Sequence, residues 1–177
     1  MSTSDTVLAL ANGRAGNSPL RSRSKTFDIF TEALTEVCLH MAKMLVRDGE
    51  GATRLITIRV TGAVSREDAR QVGLAVANSP LVKTAFFGSD PNWGRIICAV
   101  GYSGVPVDEH LITIAINGVP LFERGKALPM DEKNMRQRMS KPEIDIDIDI
   151  GMGRAENVIY TSDLSYEYVK INAEYTT

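Results

Sequence analysis

Ten residues, Phe87-Gly-Ser-Asp-Pro-Asn-Trp-Gly-Arg-Ile96, hold the only tryptophan of the chain inside a string of turn-formers and polar side chains. Gly88, Asp90-Pro91 and Gly94 punctuate the backbone, Asn92 and Arg95 bring hydrogen-bond donors, and Trp93 brings a flat surface with one N–H. On residue types alone such a run is a structural corner, in which Trp93 plugs the core and Arg95 pairs with Asp90, with lining a pocket as its secondary role.

Other residues suggest chemistry that their spacing does not support. Glu143, Asp145, Asp147 and Asp149 alternate with Ile144, Ile146, Ile148 and Ile150, which puts four carboxylates on one face of a strand and four isoleucines on the other. Calcium needs carboxylates converging from a looped backbone with carbonyl ligands, so a solvated face balanced by Lys or Arg on the next strand is the expectation. Gly151-Met-Gly-Arg154 lacks the lysine and following helix of a phosphate loop and reads as a turn between strands. The serines, Ser2 and Ser4 included, have no His nearby for a hydrolytic triad. Cys38 and Cys98 read as reduced core thiols on helices, and His40 and His110 as isolated core or surface residues. No metal site is expected.

The elements that must position these groups alternate between helical and strand periods, without an internal repeat. Residues 4 to 11 suggest a short apolar helix stopped by Asn12-Gly13, and residues 14 to 25 a flexible polar loop. From Thr26 as N-cap, Phe27, Phe30, Leu34, Val37, Cys38, Met41 and Leu45 recur at spacings of three and four, the clearest helix of the chain. Leu55 to Thr61 alternates as a strand, and Ser65-Arg-Glu-Asp68 opens a helix with Ala69, Val72, Ala75 and Val76 on one side, interrupted by Pro80. Ile96, Ile97 and Val100 lie at helical spacing before Gly101 and Gly104. Leu111 to Asn117 and Val119 to Glu123 are strands joined at Gly118, where Asn-Gly suits a hairpin turn or a bulge. A polar surface helix from Asp131 to Met139, strands from Glu143 to Ile150 and Val158 to Asp163, and a helix from about Ser165 complete the chain. This order predicts a single α/β domain over residues 1–177, two-layered, with a mixed and largely antiparallel sheet.

Five stretches together resemble one family. They are Met1-Ser-Thr-Ser-Asp-Thr-Val-Leu-Ala-Leu-Ala-Asn-Gly13, Asp48-Gly-Glu-Gly-Ala-Thr53, Ala77-Asn-Ser-Pro-Leu-Val-Lys-Thr84, the Trp93 run, and Tyr168-Val-Lys-Ile-Asn-Ala-Glu-Tyr-Thr-Thr177. The chain is identified by them as similar to the ornithine acetyltransferases, also called glutamate N-acetyltransferases, of cyclic arginine biosynthesis. The resemblance implies the layered α/β fold of DmpA-type and ornithine-acetyltransferase-type self-processing enzymes. Family members are made as a precursor that cuts itself before a Thr, which becomes the nucleophile of the β chain. That Ala-Thr-Met-Leu-like site is not in this sequence, so the chain resembles a β chain lacking its first few tens of residues, with the nucleophile upstream of Met1.

What the resemblance implies is a ping-pong transfer in which that Thr takes acetyl from N-acetylornithine and passes it to glutamate. The family's substrate-binding residues fall on Glu50, Asn172 and Thr177. A substrate with both an ammonium and a carboxylate suits them: Glu50 sits on a turn between two glycines, Asn172 both donates and accepts, and Thr177 has a hydroxyl and the terminal carboxylate. Without the resemblance they read as a solvent-exposed turn, a helix cap and a frayed end. The implied partners are the α chain of the same precursor, in an α/β heterotetramer, and small amino-acid substrates. No cofactor is implied, with acetyl-CoA a candidate co-substrate. Alone, the chain is expected to be inactive and to expose an apolar patch. Other readings are a related self-processing acyltransferase or amidase with a different substrate, and a noncatalytic fragment.

Composition adds little. The 177 residues, 44% of them hydrophobic, suffice for a core, and 20 basic against 22 acidic residues leave a net charge of −2. Neither a nucleic-acid surface nor a membrane-binding face is implied, no apolar run is long enough to span a bilayer, and a signal peptide is not apparent, so a cytoplasmic location is expected.

Overall fold

The computed structural model describes residues 6–174. Helix α1 (Lys25–Arg47) leads into strand β1 (Leu55–Ala63), followed by three helices, α2 (Arg66–Asn78), α3 (Pro80–Phe87) and α4 (Trp93–Gly101). Strands β2 (Thr113–Ile116), β3 (Val119–Glu123) and β4 (Lys126–Ala127), helix α5 (Glu132–Met139), strands β5 (Glu143–Asp149) and β6 (Ala155–Ser162), and helix α6 (Tyr166–Glu174) complete it. Six strands form one sheet in the order β4-β3-β2-β5-β1-β6. Among the described residues only β1 and β5 run parallel and every other pairing is antiparallel, as the alternation of elements predicts.

The isoleucine ladder fixes which face of the sheet turns inward. Ile56, Ile58 and Val60 of β1 lie level with Ile144, Ile146 and Ile148 of β5, and all six are fully buried. Beneath them pack Val72 and Val76 of α2, Val82 and Phe86 of α3, and Ile96 and Val100 of α4. Each such burial contributes about 1.5–3 kcal/mol, whereas an exposed ion pair contributes roughly 0.2–1 kcal/mol. The isoleucines therefore decide the register and the carboxylates follow to the outer face, where Asp147 meets Arg59 of β1 at 2.5 Å and Glu143 meets Arg47 of α1 at 2.6 Å.

Local signals set the helix starts. Ser65 and Asp68 form a reciprocal capping box on α2. Pro80 cannot continue α2, so Ser79 turns extended, ends that helix and caps the next. Ser24 caps α1, two residues ahead of the expected Thr26. At the β2–β3 link, Asn117 and Gly118 both have positive φ, a hairpin turn of the type Asn-Gly favours, and a register shift inside the same hairpin adds a bulge. Gly151 to Arg154 forms the turn between β5 and β6, with the Met152 and Gly153 amides donating to Gly62 O. The segment 14–23 is irregular and exposed.

Several expectations are corrected. Residues 6–11 form no helix, and Val7, Leu8 and Leu10 lie exposed, because so short a segment cannot hold a helix in water without a surface to pack on. The expected helix from Thr26 exists but buries none of its residues. Cys38 therefore lies exposed, as does Cys98, which sits on the side of α4 away from buried Ile96, Ala99 and Val100. The polar helix α5 buries Met135 and Met139. Arg95 does not pair with Asp90: α3 and α4 pack side by side, so Arg95 Nη1 donates to Leu81 O at 2.8 Å, and Asn92 donates to Asp90 instead. Among the described residues no helix is long and apolar enough to cross a membrane, and no three His, Cys, Asp or Glu side chains gather to hold a metal.

Candidate substrate-recognition site

The Asp48-Gly-Glu-Gly turn that follows α1 carries Glu50 to one end of the sheet, where the last turns of α6 bring Asn172 to meet it. Asn172 Nδ2 donates to Glu50 Oε2 at 3.0 Å and to Tyr168 O, one helical turn back, at 2.9 Å. Two of the three residues singled out in the sequence are thus brought together. The third, Thr177, lies outside the described residues.

Gly51 makes this approach possible. Its φ is +65°, and a Cβ there would stand 2.4 Å from Tyr168 N and 2.9 Å from Ser165 Oγ. No side chain fits, so the backbone of α6 rests directly against the turn. Ser165 closes the contact by donating to Gly51 O at 2.6 Å while accepting from Tyr168 N at 3.2 Å.

Glu50 also borders a cavity of about 460 Å³. Its walls are Leu45 and Val46 of α1, the 48–50 turn, Leu74 and Asn78 of α2, and the end of β6 from Ile159 to Ser162. Because β6 is an edge strand, the cavity lies at one edge of the sheet, with Asp48 and Glu50 supplying negative charge. Lys43 lies 4.9 Å from the Tyr160 ring centroid, a cation–π contact that ties α1 to β6 beside it. A pocket with apolar walls and carboxylates on one side suits a small molecule carrying an ammonium.

Beneath the turn lies a buried ionic cluster that the sequence reading did not foresee. Asp163, 4% exposed, accepts from Thr53 N at 2.9 Å, Arg54 N at 3.0 Å and Thr53 Oγ1 at 2.5 Å. Lys83, also 4% exposed, donates from Nζ to Thr161 Oγ1 at 3.0 Å and to Ser162 O. Burial pushes the Lys83 amine below the ordinary lysine range, and the Asp163 carboxylate offsets only part of that. Arg54 is pushed down by the same two opposed effects, and its Nη2 donates to Ser89 Oγ at 2.8 Å. Arg54 Nη1 is buried without a hydrogen-bond partner among the described residues. The only sequence signal for Lys83 was its place within the 77–84 motif, and none distinguished Asp163 from an ordinary strand end.

The Trp93 corner stands apart from the cavity. Trp93 stacks on Phe122 with ring centroids 5.0 Å apart and packs against the core, as a structural corner should. Its link to the site runs through Ser89, which takes a left-handed φ of 53° and meets Arg54.

Comparison with known proteins gives a consistent answer. The ArgJ family profile matches residues 1–177. The chain is 45% identical over 176 residues to the arginine biosynthesis bifunctional protein ArgJ of Oceanobacillus iheyensis, covering 99% of this chain and 43% of that protein. It is 49% identical over 177 residues to the protein of the same name from Syntrophotalea carbinolica, covering 99% of this chain and 45% of that protein. The chain thus spans less than half the length of these relatives. Among solved structures, arginine biosynthesis bifunctional protein argJ from Bacillus halodurans superposes with a TM-score of 0.93 at 38% identity, covering 99% of this chain and 83% of that one.

Proposed function

The chain belongs to the ArgJ family, and from that premise we propose that it is the substrate-recognising part of an acetyltransferase that moves an acetyl group from N-acetylornithine to glutamate. The observation that carries this reading is the Glu50–Asn172 contact beside the cavity, formed between the two motifs that most resemble a substrate site. A carboxylate held by an amide offers acceptors to the ammonium of an amino acid: Glu50 supplies the charge, and Asn172, whose amide hydrogens hold Glu50 and Tyr168 O, adds its Oδ1. Thr177 is proposed as the third recognition residue.

The reacting groups are assigned to the part of the relatives' length that this chain does not span. There a threonine hydroxyl attacks the acetyl carbonyl of N-acetylornithine, the amide C–N bond breaks, and ornithine leaves with the proton. The glutamate amine then attacks the acetyl ester, the C–O bond breaks, and the hydroxyl recovers its proton as N-acetylglutamate departs. No cofactor is needed, since the protein itself carries the acetyl group, and acetyl-CoA is a second donor to assay.

The proposed partner is the α chain of the same precursor, in an α/β heterotetramer. Supporting it is the stripe on α1, where Phe30, Leu34, Val37, Met41 and Leu45 are all between 43% and 56% exposed. An apolar helix face of that kind marks an interaction surface. The decisive experiment is co-expression of this chain with the remainder of the relatives' length, followed by assay with N-acetylornithine and with acetyl-CoA as donors and glutamate as acceptor. Transfer by the assembled protein and none by the 177-residue chain is the expected result. Inactivity of the assembled protein with both donors would overturn the reading.

A further inference from the structure

We propose that Lys83 is a positioning residue for the Glu50–Asn172 pair, acting through a buried clamp on residues 161–165. The proposal rests on the reading of that pair as the amino-acid-recognising site.

The geometry is a chain of short links. Lys83 grips the end of β6 twice, through Nζ on Thr161 Oγ1 and Ser162 O and through its own carbonyl, which accepts from Leu164 N at 3.3 Å. The next residue, Asp163, is held from the opposite side by Thr53 and Arg54. Ser165 then bonds Gly51 O, next to Glu50, and α6 begins at Tyr166. Residues 161–165 are thus fixed between α3 on one side and residues 51–54 on the other. Where this link sits determines where α6 starts, and hence where Asn172 stands relative to Glu50. Thr161 and Ser162 also wall the cavity, so the same clamp sets its width.

Stability alone does not explain a lysine here. Taking an ammonium out of water is costly, and well-packed apolar residues commonly replace buried ionic groups without loss of stability. Three oxygens within hydrogen-bonding reach of Nζ, all on residues 161 and 162, impose one geometry that a hydrophobic side chain would not. The Thr161 hydroxyl joins two elements at once, since it donates to Ala77 O of α2 at 3.2 Å while receiving from Lys83.

The test uses the assembled enzyme and compares Lys83→Met, Lys83→Arg, Thr161→Val and Glu50→Gln. Two readouts are taken: steady-state kinetics with glutamate as varied substrate, and amide hydrogen exchange over residues 161–172. Lys83→Met is expected to raise KM about tenfold with kcat changed less than about threefold, and to speed exchange in residues 161–172 while leaving α2 unchanged. Lys83→Arg should recover most of the KM. If Lys83→Met does not accumulate as folded protein, Thr161→Val carries the test on both readouts. A raised KM in Glu50→Gln with wild-type KM in Lys83→Met, or in Thr161→Val where it substitutes, would overturn the proposal and leave the site reading intact. Wild-type KM in Glu50→Gln would overturn the site reading itself. Unchanged exchange over 161–172 would overturn the clamp whatever the kinetics.

Discussion

Asn172 on α6 donates to the Glu50 carboxylate at 3.0 Å, a contact between residues 122 positions apart. It makes the charge on Glu50 the first quantity to change. Glu50→Gln keeps the shape and removes the charge, and hydrogen bonds to charged groups contribute about 1.5–3 kcal/mol. With about 1.4 kcal/mol per factor of ten, the assembled enzyme should lose roughly ten- to a hundredfold in kcat/KM. If the protein is made as a self-cleaving precursor, that cleavage should survive, since it needs no amino-acid substrate. Wild-type kinetics with N-acetylornithine would return Glu50 to an exposed turn.

Gly51→Ala should separate the two halves of the site. The substitution places a methyl against Tyr168 N and imposes a left-handed backbone on an L-residue, a conformation that costs about 1–2 kcal/mol before any clash. Lower thermal stability together with weaker glutamate binding by calorimetry is expected. A variant with unchanged melting temperature and affinity would show that α6 can shift without consequence.

Trp93→Ala should act on stability and leave recognition alone, because Trp93 stacks on Phe122 and does not line the cavity. Truncating fully buried aromatics costs about 3–5 kcal/mol, and the half-buried position of Trp93 lowers this to about 2–3 kcal/mol. Denaturant melts measure the loss. Normal melting with lost glutamate binding would assign Trp93 to the substrate instead.

Lys83 gives stability a pH signature. In the folded chain its amine holds a proton less tightly than the ordinary lysine value of 10.5. Between the folded value and 10.5 the unfolded chain binds more protons, so stability rises with pH through that window, whereas below it the cost of burying the ammonium is fully present and constant. Denaturant melts as the pH is raised toward 10.5 should show a gain in the wild-type chain that Lys83→Met lacks. Parallel pH profiles for the two proteins would contradict the buried ammonium.

The α1 stripe predicts an effect on assembly without one on folding. Leu34 is 48% exposed, and surface substitutions usually stay within about 0.5 kcal/mol. Leu34→Glu should therefore leave the melting temperature of the 177-residue chain unchanged but reduce co-purification with the proposed α chain. Full co-purification would move the interface elsewhere.

The sequence by itself determined the elements whose signals are local. The Ile144–Ile150 alternation, the Ser65–Asp68 capping box, the Asn117-Gly118 turn and Pro80 each act within a few residues, so β5, α2, the hairpin and the α2–α3 break were legible without coordinates. Motif likeness also singled out Glu50 and Asn172, although nothing in their spacing says that they meet. Only the tertiary structure decided that, because the contact depends on β1 and β6 pairing antiparallel and on α6 folding back over Gly51. The same holds for the failures. Periodicity marks which residues of α1 share a face but not whether any surface covers that face, and so Cys38 was expected in a core that this helix does not enter. Lys83 and Asp163 look like ordinary solvated charges in one dimension, and burial of an ionic cluster becomes visible only when α3, β6 and the 51–54 segment converge.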